Sequence, residues 1–118
     1  MMKFSYFVTL TIALSISTAA LAASKEEELF IKGNCNNCHT LAAETVGPTR
    51  VAIAEKYRDN PNAQEILEKK VRVGGSGSWG VMPMPGTRST ITDNEIKTMV
   101  KWILETKPLK EESDKKAK

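Results

Sequence analysis

Apolar residues recur along this chain at helical spacing, broken by Gly, Pro and Asn clusters, and no stretch shows the alternation of a strand. Ser24 precedes Glu26, Glu27 and Glu28, then Leu29 and Phe30. A serine cap with acidic residues against the positive helix end predicts a first helix to about Gly33. Gly47-Pro48 interrupts the chain. Thr49 then caps a second stretch through Tyr57 that carries Val51, Ile53 and Ala54. The turn cluster Asp59-Asn60-Pro61-Asn62 opens a third helix from Ala63 to about Val73, with Ile66, Leu67 and Val71 as its buried side. A last helix follows Thr92 and Glu95, which have the spacing of a capping box. Its apolar face is Ile96, Met99, Val100, Ile103 and Leu104, and it stops near Thr106 because Pro108 cannot continue it. The reading is all-α.

Between the third and fourth helices the pattern fails. Gly74, Gly75, Gly77 and Gly80 loosen the segment from Gly74 to Gly86, and Pro83 and Pro85 forbid a helix there. So long an irregular segment in a small domain is usually functional.

The two ends differ from the middle. Lys3, an apolar run from Phe4 to Ile16 and the sequence Ala20-Leu21-Ala22 form a secretory signal peptide over residues 1–22, with cleavage after Ala22. An uncleaved membrane anchor is the competing reading, since no charge falls between Lys3 and Lys25, although Thr9, Thr11, Ser15, Ser17 and Thr18 dilute the span. Cleavage would leave a domain at 23–106 and a charged tail at 107–118, nearly free of apolar residues and expected to be disordered. The domain would then lie in the periplasm, with no stable membrane insertion.

Composition sharpens this picture in two ways. The 118 residues allow one domain at most, and a net charge of +3 without a basic, aromatic-interleaved block gives no sign of nucleic-acid binding. With 6% aromatic residues, a conventional core would be thin, and domains of this size often need a metal, staple or cofactor.

The strongest chemical signal is Cys35-Asn36-Asn37-Cys38-His39, the C-x-x-C-H sequence of c-type haem attachment. Two thiols separated by two residues can bond the vinyl groups on one porphyrin edge, and the next residue can offer its imidazole to the iron. A disulfide pair of the thioredoxin kind normally sits near a βαβ pattern, which is absent here. Structural zinc usually takes four ligands, whereas His39 is the only histidine beside two cysteines. One covalent haem c, with its iron, is the expected cofactor.

A haem iron in an electron carrier often takes methionine as its second axial ligand. Met99 falls on the apolar stripe of the last helix, where core filling is its expected role. Met82 and Met84 lie in Met82-Pro83-Met84-Pro85-Gly86, where the prolines stiffen the loop. Residue chemistry alone does not choose between them.

From Phe30 to Trp102 the chain resembles the small bacterial class I cytochromes c of the cytochrome c-551 (cytochrome c8) family. The matching pieces are C-x-x-C-H, Val46-Gly47-Pro48, Trp79-Gly80 followed by Pro83-Met84-Pro85, and Lys101-Trp102-Ile103-Leu104. The resemblance implies a small class I cytochrome c fold of about four helices wrapped around one covalent haem. It implies Met84 as iron ligand opposite His39, and Pro48 as the carbonyl partner of the histidine ring. It further implies Trp79 as a propionate hydrogen-bond donor and Lys70 as a basic propionate partner. Two departures stand out: Thr87 replaces an asparagine frequent in relatives, and Ser89 to Ile91 lengthen the following connection.

The function expected is one-electron, outer-sphere transfer at a haem edge near Cys35 and Cys38, not catalysis. Phe30, Val51, Ile53, Leu67, Met99 and Ile103 are expected to wrap the ring. Partners of the expected kind are a quinol-oxidising cytochrome complex as donor and a terminal oxidase, nitrite reductase or peroxidase as acceptor, met by a monomer through small, transient contacts.

Overall fold

A computed structural model describes residues 22–109. The predicted leader, apart from Ala22, and residues 110–118 of the predicted charged tail lie outside the described residues. Within them the chain forms α1 (Lys25–Lys32), a single 3₁₀ turn (Cys35–Asn37), α2 (Arg50–Tyr57), α3 (Ala63–Val73) and α4 (Asp93–Leu104). The only extended pairing among the described residues is an isolated antiparallel bridge between Gly75 and Met84.

The caps account for the helix boundaries. Ser24 Oγ accepts the Glu27 amide at 3.2 Å, and Thr49 Oγ1 accepts the Ala52 amide at 3.0 Å. At the start of α4, Thr92 Oγ1 accepts from the Glu95 amide at 3.2 Å while Glu95 Oε2 accepts from the Thr92 amide at 2.8 Å. Each bond satisfies an amide that the first helical turn leaves without a partner.

Helix α4 is the hub and packs against the other three. Ile96, Met99, Val100 and Ile103 line its inner face and meet Leu29 and Phe30 of α1, Ile53 and Tyr57 of α2, and Ala63 and Leu67 of α3. Ile91, just ahead of α4, joins Ile96, Met99 and Val100 as the most deeply buried large side chains. Trp102 lies behind this core: its ring meets Phe30 edge-on at 5.6 Å, and the Arg50 guanidinium sits 4.4 Å from the Trp102 ring centre and 5.5 Å from that of Phe30. This stack fixes Phe30 from the side away from the site described below.

Two expectations about helix faces need correction. Ile66 was expected on the buried side of α3 and is 40% exposed. The inward stripe runs through Ala63, Leu67 and Val71, four residues apart, and Ile66 lies a third of a turn to one side. Val51 is only half-buried and does not reach the central cavity. It stands two residues before Ile53, hence on roughly the opposite side of α2.

Candidate functional site

After Lys32 the helix ends at Gly33, and Asn34 adopts a left-handed conformation (φ 57°) that turns the chain into the 3₁₀ segment. Residues three apart eclipse each other in such a turn. Cys35 and Cys38 are three apart, so their thiols share a side. The Cys38 and His39 amides both donate to the Cys35 carbonyl, at 3.1 and 2.9 Å. No disulfide joins Cys35 to Cys38, and burial pushes the Cys35 thiol above its ordinary pKa.

His39 is oriented from the next loop. Its Nδ1 lies 2.8 Å from the Pro48 carbonyl oxygen. A carbonyl can only accept, so Nδ1 carries the proton and Nε2 keeps a free lone pair, the form that binds a metal. Gly47 makes room for this: a Cβ there would lie 2.7 Å from His39 Cε1 and 2.9 Å from Nδ1. The Gly47 amide and the Thr45 hydroxyl both donate to the Cys38 carbonyl at 3.0 Å, closing the loop onto the attachment turn.

The irregular segment supplies the other wall. The Gly75 and Met84 backbones exchange two hydrogen bonds, each 2.9 Å. Gly74, at φ 71°, runs so close that a Cβ would stand 2.3 Å from the Met84 carbonyl oxygen. Met84 is consequently held by its own backbone and half-buried, whereas Met82 is 64% exposed. Trp79 lies under the Lys56 ammonium, 4.3 Å from its ring centre, and Lys56 also donates to the Ser78 carbonyl. The Lys70 ammonium sits beside Gly75.

Between these walls lies a cavity of about 320 Å³. Cys35, Cys38, His39, Pro48, Lys70, Trp79 and Met84 all line it, so the fold gathers every site residue read from the sequence. Met82 reaches it as well. Of the six side chains expected to wrap the ring, Phe30, Ile53, Leu67, Met99 and Ile103 do line the cavity. Tyr57 and Gly47 are among the contributors whose place in the site the sequence reading missed. Tyr57 was seen only as a helix end, although its spacing of four from Ile53 puts both on one face. Gly47 was seen as a chain break before Pro48 and as part of a matching tripeptide, not as a neighbour of the His39 ring.

The donor set fits an iron tetrapyrrole. Two thiols share one edge, an imidazole presents a free nitrogen, thioethers come from a second loop, and the interior between them is apolar. A lysine and a tryptophan at the wall suit the carboxylates that such a ring carries.

Comparison with known proteins points the same way. The family model for cytochrome c matches residues 24–107. Cytochrome c-552 of Hydrogenobacter thermophilus is 41% identical over 81 residues, which cover 69% of this chain and 81% of that protein. Cytochrome c-551 of Allochromatium vinosum is 39% identical over 92 residues, 78% of this chain and 97% of that protein. The crystal structure of Nitrosomonas europaea cytochrome c552 superposes with a TM-score of 0.64 at 38% identity, covering 69% of this chain and 99% of that one. The matched span takes in all four helices and both loops of the cavity, and on that footing the chain belongs to the cytochrome c family, as a small monohaem protein of the c-551/c-552 kind with haem c bonded through Cys35 and Cys38.

Proposed function

We propose that this protein is an exported, periplasmic one-electron carrier in which His39 and Met84 close both faces of the haem iron. The bound haem supplies a single reversible electron at its iron; the rest is the work of the chain. The observation that carries the reading is the paired anchoring of the two donors: His39 through the Pro48 carbonyl and Met84 through Gly75, both at one cavity. A histidine ring and a methionine backbone already held in place move little when an electron arrives, which favours outer-sphere transfer over catalysis. With both faces taken, no position is left for a substrate.

Phe30, Ile53, Leu67, Met99 and Ile103 exclude water from the interior, and this low-polarity setting disfavours the additional positive charge of oxidised iron, raising the potential. Lys70 and Trp79, both at the cavity wall, would hold the ring's carboxylates. Electrons enter and leave at the edge beside Cys35 and Cys38, where a monomer meets a quinol-oxidising cytochrome complex on one side and a terminal oxidase, nitrite reductase or peroxidase on the other. Such contacts are small and short-lived.

The ligand assignment is tested by substitution. Met84→Ala should abolish the thioether–iron charge-transfer band of the oxidised protein, while Met82→Ala should keep it. The reverse pattern would move the assignment to Met82.

A further inference from the structure

We propose that Arg72 is a positioning residue for the Met84 thioether, through the strand of chain that leaves the methionine loop; this rests on the reading of Met84 as an iron ligand. Arg72 stands in the last turn of α3, where its backbone runs close against Gly86 and its side chain bonds residues 88, 91 and 93. Gly86 passes so close to the Arg72 carbonyl that a Cβ there would lie 2.8 Å from the oxygen. The next amide, that of Thr87, donates to the Val71 carbonyl at 2.9 Å. The guanidinium then reaches further along the same limb. Nη1 donates to the Arg88 carbonyl at 3.3 Å and Nη2 to the Ile91 carbonyl at 2.8 Å. Nη2 and Nε both reach Asp93 Oδ1, at 2.6 and 3.1 Å, where α4 begins.

Three features point to position rather than to a surface ion pair. The Asp93 side chain is 93% exposed, so its attraction for Arg72 is largely screened. The carbonyls of Arg88 and Ile91, by contrast, are fixed points of the connection, and among the described residues no other side chain bonds them. A planar guanidinium can reach several acceptors in a fixed fork, which a lysine cannot. Met84 is thereby bracketed, by Gly75 on its own backbone and by Val71 and Arg72 two to four residues downstream. Slack in the downstream limb would let the thioether leave the iron more often.

The test is the rate at which imidazole binds the oxidised haem-loaded protein, followed by visible absorbance, with the urea midpoint measured alongside. Arg72→Met should speed imidazole entry by about tenfold or more, as expected from losing charge-assisted bonds that hold the loop. Arg72→Lys keeps the charge and should still be several-fold faster than the wild type, and it provides the measurement if Arg72→Met does not accumulate. Lys32→Met breaks the 3.0 Å Lys32–Glu95 bridge between α1 and α4, which does not touch residues 86–91, and should leave the rate unchanged. Entry that tracks lost stability equally in the Arg72 and Lys32 variants would overturn the inference, as would Arg72 variants as closed as the wild type. A wild-type protein that takes imidazole at the mixing limit would instead overturn the Met84 reading, and this inference with it.

Discussion

Glycine 47 shows how a residue without a side chain can set the chemistry of its neighbour. The imidazole of His39 occupies the space where a Cβ would stand, and the Pro48 carbonyl one residue later fixes its proton. Gly47→Ala should therefore displace the ring or the loop, at a cost of about 1–3 kcal/mol for overpacking. The check is the denaturation midpoint and the haem absorbance per polypeptide, both of which should fall. A variant with unchanged absorbance and stability would mean the loop can yield. Cys35, Cys38 and His39 were legible in the sequence because their spacing alone encodes the attachment chemistry. Gly47, Gly74 and Arg72 were not, because their roles depend on segments that meet only after folding. Arg72 bonds carbonyls 16 and 19 residues away, and no local pattern marks such a contact.

At the scale of the elements, Thr92 and Glu95 do more than begin α4. Glu95 accepts the Thr92 amide and the Lys32 ammonium, and these bonds hold its carboxyl below the usual glutamate pKa, the amide bond first and Lys32 second. A depressed carboxylate pKa favours the folded state above the ordinary carboxylate range. The benefit is lost as pH falls through that range toward the lower folded value. Glu95→Gln keeps an oxygen for the Thr92 amide but has no charge to lose. Urea midpoints followed from neutral to acidic pH should fall less steeply in this variant than in the wild type, and equal slopes would count against the assignment. Helix limits were readable from caps of this kind, since Ser24, Thr49 and Thr92 act within four residues of themselves. Helix faces were less readable. Ile66 and Val51 carry the same apolar character as Leu67 and Ile53, and only the packing of neighbouring helices decides which of each pair turns inward.

The whole molecule is built around α4, whose inner face meets all three other helices while Met99, Val100 and Ile103 also line the cavity. Ile96 belongs to this core without touching the cavity, which makes it a probe of the scaffold alone. Ile96→Ala should lower the unfolding free energy by about 2–5 kcal/mol while leaving the visible spectrum of the folded protein intact. A changed spectrum would indicate that scaffold and site are not separable at this helix. The fold class and the four helices were apparent from patterning, and the cavity could be anticipated from a sparse aromatic content. Its walls were legible only through the family resemblance, because the residues that face each other across it, such as His39 and Met84, lie far apart in the chain and meet only after folding.

Closure of the iron on both faces by His39 and Met84 is the claim on which the functional account depends. Carbon monoxide added to the reduced, haem-loaded wild-type protein at neutral pH tests it most directly. The account predicts a visible spectrum that stays the same. A prompt shift to a carbon monoxide-bound spectrum would contradict it, leaving an open coordination position where Met84 is placed.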